Sequence, residues 1–210
     1  MINIPVRKFK SLEVGLKTLE PYIKDATHLQ SGKPFQNFGD MRSREAVANW
    51  LLCATANKID GRKLAVVSTK DPIGGDGIIH DEDTGESFPT EHVIVPRQSG
   101  GPDADLQALI LKAINDKRNK CGAAYASGKT LVVFVDADAG EWHPNKVART
   151  LPDPLYFATV WVIGLNGVTD GAYAYNVVHL DLSDGNAPAY RVHITKDFAR
   201  PACASWGDRP

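Results

Sequence analysis

Leu131-Val132-Val133-Phe134-Val135 is an unbroken apolar run between Thr130 and Asp136. A strand with one wet face alternates polar and apolar residues, whereas a strand that is apolar throughout must be covered on both sides, as the central strands of helix-flanked sheets are. A second run of this kind occupies residues 158–165 (Ala-Thr-Val-Trp-Val-Ile-Gly-Leu). Two such strands predict an α/β fold with a central mixed β-sheet and helices on both faces.

The helices have their own period. Residues 11–24 place Leu12, Leu16, Leu19 and Ile23 at helical spacing, with Pro21 expected to kink or end the segment. The polar stretch at residues 30–40 reads as a loop with Phe35 and Phe38 as aromatic anchors. A stronger helix follows, with Ser43 as its expected N-cap and Val47, Trp50, Leu51 and Ala54 on one face, ending near Asn57 or Lys58. Glu45 lies in its first turn, where the helix dipole favours an anion. Residues 103–120 set Leu106, Leu109, Ile110, Ala113 and Lys117 on one face, and Gly122 closes them after a Gly-rich loop at residues 98–102. Strand segments fill the rest: residues 64–68, then a hairpin of residues 74–80 and 87–95 around the polar tip 81–86. A second hairpin, residues 172–182 and 189–195, is expected around Ser183-Asp184-Gly185-Asn186.

The first hairpin holds the chemistry. With its tip centred between Asp83 and Thr84, facing residues have numbers that add to about 167, as those of Asp76 and Glu91 do. Directly opposite residues have Cβ atoms roughly 5 Å apart, and two like charges at that distance are unfavourable unless they share a cation or a proton. A hard divalent ion such as Mg²⁺ or Mn²⁺ satisfies such a pair, and one of the waters it keeps can attack a phosphodiester.

Composition narrows the classes. Lys and Arg number 24 against 25 Asp and Glu, so no global positive field draws the chain to nucleic acid or membrane, although a local basic patch is compatible with the count. No apolar run is long enough for a membrane span and the first residues lack a signal-peptide core, so a cytoplasmic protein is expected. Cys53, Cys121 and Cys203 are odd in number and far apart, which suits reduced thiols.

The order of helix with an acidic residue, strand, Gly-Asp hairpin strand, strand carrying Glu, helix, strand resembles the PD-(D/E)XK nuclease superfamily, the restriction-endonuclease-like fold, over residues 43–136. The resemblance implies metal ligands at Asp76 and Glu91, an assisting carboxylate at Glu45 and a lysine two residues after Glu91. Val93 stands there instead. A lysine displaced to the following helix would fill the role, with Lys112 the nearest candidate and Lys117 disfavoured by its place on the apolar face. The alternatives are a reaction resting on metal alone or helped by Gln107, or a nuclease fold that has lost activity.

Other features weigh less. Residues 122–130 imitate a P-loop, but five residues separate the glycines where four are required, and the loop enters a strand instead of leaving one. Lys129 there is expected as an ordinary loop cation. Asp136, Asp138 and Glu141 offer a second acidic site at a strand end, although a solvated strand exit is the preferred reading, and residues 81–86 read as a charged turn without calcium-loop spacing. His92 points away from Glu91 and reads as a satisfied strand histidine. The segment at residues 141–149 mixes Trp142 and His143 with Lys146 and Arg149, as a loop touching nucleic acid does, although Trp142 serves equally well as a core plug.

The expectation is therefore one α/β domain: a helical extension and loop (residues 1–42), a nuclease-like core (43–136), and additional strands with a C-terminal β-hairpin (137–210). Its expected function is Mg²⁺- or Mn²⁺-dependent cleavage of DNA, with Asp76, Glu91, Glu45 and Lys112 as catalytic residues and Asp76 and Glu91 as metal ligands. The alternative is a catalytically inactive module that binds nucleic acid or protein. The oligomeric state stays open, a homodimer being compatible.

Overall fold

The protein's structure, a computed structural model, describes residues 8–25, 36–69, 75–96, 105–136, 141–181 and 185–205, with residues 4, 6, 27 and 34 besides. The loop at residues 98–102, the start of the predicted helix at 103–104, Asp138, Ser183 and Asp184, and part of the loop at 30–40 lie outside them.

A nine-stranded mixed sheet organises the chain, with its strands side by side in sequence order. They are β1 (Phe9–Lys10), β2 (Leu64–Val67), β3 (Gly77–Asp81), β4 (Ser87–Val95), β5 (Thr130–Val135), β6 (Thr159–Thr169), β7 (Ala172–Leu180), β8 (Ala189–Ile194) and β9 (Pro201–Ser205). β4 pairs with β5 and β5 with β6 in parallel; every other neighbouring pair is antiparallel. The two parallel pairs need crossovers, and helices supply them: α3 (Leu106–Ala126) before β5 and the short α4 (Pro144–Arg149) before β6. Ahead of these come α1 (Leu12–Lys24) and α2 (Ser43–Asp60). From α2 to β5 the order is helix, three antiparallel strands, helix, parallel strand.

The apolar runs of β5 and β6 are explained by what covers them. Val132, Phe134 and Ile163 join α1 and α2 in one core, and Leu131, Val133, Val160 and Val162 join α3 and α4 in the other, so alternate side chains go to opposite layers. α2 is buried along nearly its whole length, from Ser43 to Ala56, because it lies between α1 and the sheet. Trp50, fully buried, ties the two helices by donating from Nε1 to Leu12 O at 2.8 Å. Among the described residues no helix is long and apolar enough to cross a membrane.

Several boundaries differ from the sequence reading. α1 runs through Pro21 to Lys24, with the Asp25 N–H donating to Pro21 O, because the ring's lost N–H costs only one bond near the end of a helix. Arg42, not Ser43, is the N-cap of α2, and the helix continues to Asp60, where Gly61 closes it in the left-handed conformation. β6 is longer than the apolar run: it extends to Thr169 and turns through Asp170 and Gly171, both at positive φ (51° and 81°), into β7. That is a two-residue type I′ hairpin carried by an Asp-Gly pair. β9 adds an edge strand that was not foreseen.

Candidate active site

The first hairpin has the register that its tip predicts: Gly77 faces Thr90, Ile78 faces Pro89, and Ile79 faces Phe88. One step further, Asp76 and Glu91 come together. The Asp76 N–H donates to Thr90 O at 3.0 Å, and its Oδ2 accepts from the His92 N–H at 2.8 Å. The carboxylate thus prolongs the strand ladder where the backbone pairing of β3 ends.

Lys117 completes the cluster. Its Nζ lies 2.7 Å from Glu91 Oε2 and 3.4 Å from Asp76 Oδ2. The cation that two facing carboxylates demand is an ammonium of the chain itself. Lys112, expected in this role, is instead an exposed residue of α3 paired with Asp116 one turn on. The reason is helical geometry. Leu106, Ile110 and Ile114 form the buried seam of α3, and the next position on that seam is 117, whereas 112 lies on the outer surface. The long alkyl stem of Lys117 follows the apolar face and its charged end reaches the sheet. Val93 packs into the core beneath α3, so the position two residues after Glu91 is a packing position in this chain.

Glu91, 2% exposed, has two more partners. Its Oε1 accepts from the Tyr125 hydroxyl at 2.7 Å and lies 3.5 Å from Lys129 Nζ. Lys129 is buried to 4% exposure, with its ammonium 3.2 Å from the centroid of the Tyr125 ring. The expectation of an ordinary loop cation fails for Lys129 because the parallel pairing of Glu91 with Leu131 carries the start of β5 alongside Glu91. Tyr125 and Lys129 were not foreseen as site residues. The signal for Lys129 was its place just before a strand that must pair in parallel with β4; no sequence pattern sets that register.

A break in α3 delivers Tyr125. Gly122 interrupts the helix with φ 69° and ψ 168°, after which one further turn carries the tyrosine. That backbone region is open essentially to glycine alone, and a Cβ there would meet no atom within 4 Å, so the restriction is conformational and not steric. Gly122→Ala is expected to cost about 1–3 kcal/mol, measured as a lowered urea midpoint at unchanged m-value.

The charges in the cluster support one another. Burial works against the Lys117 ammonium, but its hydrogen bond to Glu91 and the charge of Asp76 outweigh burial and hold its pKa above the ordinary lysine value. Burial likewise works to raise the Asp76 carboxyl, yet attraction from His92 where that ring is protonated, and from Lys117, with the His92 N–H bond, holds it below the ordinary aspartate value. Burial, followed by the bond to Glu91, pushes the Tyr125 phenol up, so it stays a neutral donor.

Asp76 is also reached from the other face of the sheet. A cleft of about 290 Å³ on the α2 side is lined by Asp76 together with Asp40, Arg42, Glu45 and Thr69. Glu45 is buried, accepts from the Arg42 N–H at 2.9 Å, and has its pKa raised chiefly by burial. It caps its own helix while bordering the cleft. Gln107 lies ten residues before Lys117 on α3 and accepts from the His143 N–H at 3.1 Å, away from the carboxylates. His92 is a buried strand histidine: its Nε2 lies 3.1 Å from Asn49 Oδ1 and 3.3 Å from Thr90 Oγ1, and burial lowers its pKa to about 3. Its Nδ1 finds no hydrogen-bond partner among the described residues. Cys53, Cys121 and Cys203 are all free thiols.

Compared with known protein families, with curated proteins and with solved structures, the chain matches none.

Proposed function

We propose that Asp76, Glu91 and Lys117 form the centre of a metal-dependent nuclease of the restriction-endonuclease-like kind, acting on DNA. The observation that carries this reading is the position of Lys117. An ammonium from α3 stands against both carboxylates, which is the chemical role that a lysine at position 93 would have filled. The order of elements from α2 to β5 is the one expected of such a core.

The donor chemistry fits a hard divalent ion. Among the described residues no group of three or more His, Cys, Asp or Glu side chains is arranged for a metal, so Mg²⁺ or Mn²⁺ would rest on Asp76 and Glu91 and keep several waters. When bound, such an ion supplies an activated water and neutralises charge on the phosphoryl oxygens. The chain's own residues do the rest. The His92 N–H orients Asp76, and Tyr125 and Lys129 orient Glu91. Lys117 offers a proton donor and a positive charge beside the carboxylates, suited to a pentavalent phosphate and its leaving oxygen. Arg42, in the cleft beside Asp76, is placed to hold a backbone phosphate, with Glu45 as the accessory carboxylate.

The test is cleavage of supercoiled plasmid with Mg²⁺ or Mn²⁺. Asp76→Asn and Glu91→Gln are each expected to reduce cleavage by about 10²-fold or more. If wild type does not cut, or both variants cut as it does, the proposal falls.

One observation favours a second reading. The Lys117 bridge satisfies both carboxylates without a metal, as in a nuclease-like fold kept only for binding. Salt-dependent affinity for duplex DNA with no cleavage and no calorimetric Mg²⁺ binding would select it.

A further inference from the structure

A second cavity, of about 840 Å³, opens beside α4 and β7, within the size range of small-molecule sites. Trp142, half-buried, forms one wall, Val178 and Ala187 form an apolar floor, and Asn145, Asn166, Asn176 and Asn186 contribute carboxamides to the lining.

Three of these carboxamides, those of Asn145, Asn166 and Asn176, are oriented by groups that donate to their oxygens. Asn145 Oδ1 accepts from the Ala187 N–H at 2.9 Å; Asn176 Oδ1 accepts from Arg191 Nε at 3.2 Å. Asn166 Oδ1 accepts both from Arg191 at 3.3 Å and from Asn176 Nδ2 at 3.2 Å. Each of these amide oxygens already accepts from the protein, and that of Asn166 accepts twice. The Nδ2 groups of Asn145 and Asn166 remain as donors with no hydrogen-bond partner among the described residues. The cavity combines the Trp142 indole with amide N–H donors, and among the described residues that line it there is no Lys or Arg; its charged wall residue is Glu141.

We propose that this cavity receives a single unpaired nucleobase of bound DNA, stacked on Trp142 and read at an acceptor-rich edge such as guanine O6 and N7 by the amide donors. A planar heterocycle satisfies both features at once: any base stacks on an aromatic ring, and hydrogen-bond acceptors on its edge meet donors that have no other partner among the described residues. The acidic wall turns phosphate away, so the base enters and the backbone stays outside, where exposed Lys146 and Arg149 of α4 lie. The choice of DNA rests on the nuclease reading. The distance suits it too. The bond from His143 to Gln107 pins this segment to the start of α3, and Lys117 lies ten residues along that helix, roughly 15 Å away, or about four base steps of a DNA strand.

The experiment is a binding measurement in EDTA, where no cutting occurs, with a short duplex carrying one bulged guanine and the same duplex fully paired. Wild type is expected to prefer the bulged duplex. Trp142→Ala should lose about 5- to 150-fold in affinity for it, the worth of one base stack, while its affinity for the paired duplex is unchanged. Trp142→Phe should keep most of the preference, which separates stacking from a fold defect. Equal binding of both duplexes by wild type, or a preference that survives Trp142→Ala, overturns the proposal; so does Trp142-dependent binding of an oligosaccharide with none of the bulged DNA. Plasmid cleavage that depends on Asp76 and Glu91 is scored separately, so this cavity can fail while the nuclease reading stands, and the reverse.

Discussion

Replacing Lys117 with methionine is expected to destabilise the protein by about 3–5 kcal/mol in metal-free buffer and, on the proposed nuclease reading, to remove DNA cleavage. The substitution keeps the apolar stem and deletes the charge. It leaves Glu91, 2% exposed, and Asp76 facing each other across the hairpin as like charges. Removing one member of the cluster costs that much because Glu91 keeps a charge that water does not reach, the part-exposed Asp76 adding less. Lys129 and Tyr125 still hold one oxygen of Glu91, but Asp76 loses its ammonium. The distinguishing measurement is a urea melt of both proteins with EDTA and with millimolar Mg²⁺. A cation that binds only the folded state stabilises it, so Mg²⁺ should raise the variant's midpoint more than that of wild type, whose carboxylates already have a partner. Equal stability of the two proteins in EDTA, with no larger Mg²⁺ response in the variant, would contradict the assignment. The cluster also has a signed pH dependence. With its pKa raised, Lys117 contributes fully below the unfolded lysine pKa of about 10.4, and that contribution is lost as pH rises through the folded value. Asp76, held low, contributes above about 3.9 and loses its contribution as pH falls through its folded value.

The second large effect belongs to His92. Stability is expected to fall steadily from about pH 6.5 towards pH 3, and His92→Gln should flatten much of that fall. Burial lowers the ring's pKa to about 3, against about 6.5 in an unfolded chain; Lys117 and Arg44 also oppose its protonation, and only Asp76 favours it. Between those values the unfolded state binds a proton that the folded state refuses, so stability rises with pH across the window and is lost on acidification. The size is on the order of a few kcal/mol. A glutamine side chain at this position would keep a polar contact to Asn49 and Thr90 without a titrating ring. Denaturation curves at neutral pH and at two acidic points check this. Parallel losses in the two proteins would show that the carboxylates, and not His92, carry the acid sensitivity.

The site was legible to unequal depths. Asp76 and Glu91 were found by counting, because an antiparallel hairpin with a short polar tip has a register set by the tip, and Gly77 does face Thr90. In the sequence Lys117 is disfavoured by its place among Leu106, Ile110 and Ala113. The same place is what brings it to the sheet. An apolar seam says which side of a helix is inward but not what lies beneath its last turns, and beneath Lys117 lies a carboxylate pair in place of another leucine. Tyr125 and Lys129 were beyond reach for a different reason. They meet Glu91 through the break at Gly122 and the parallel pairing of β4 with β5, neither of which leaves a periodic trace.

The sequence by itself determined the layered α/β arrangement, because runs that are apolar at every position have to be covered on both faces, and it determined which two carboxylates meet, because hairpin pairing is local. Only the tertiary structure decided which cation stands between them. The rotation of α3 on the sheet and the stagger of two parallel strands joined by a 21-residue helix are settled by packing among residues far apart in the chain.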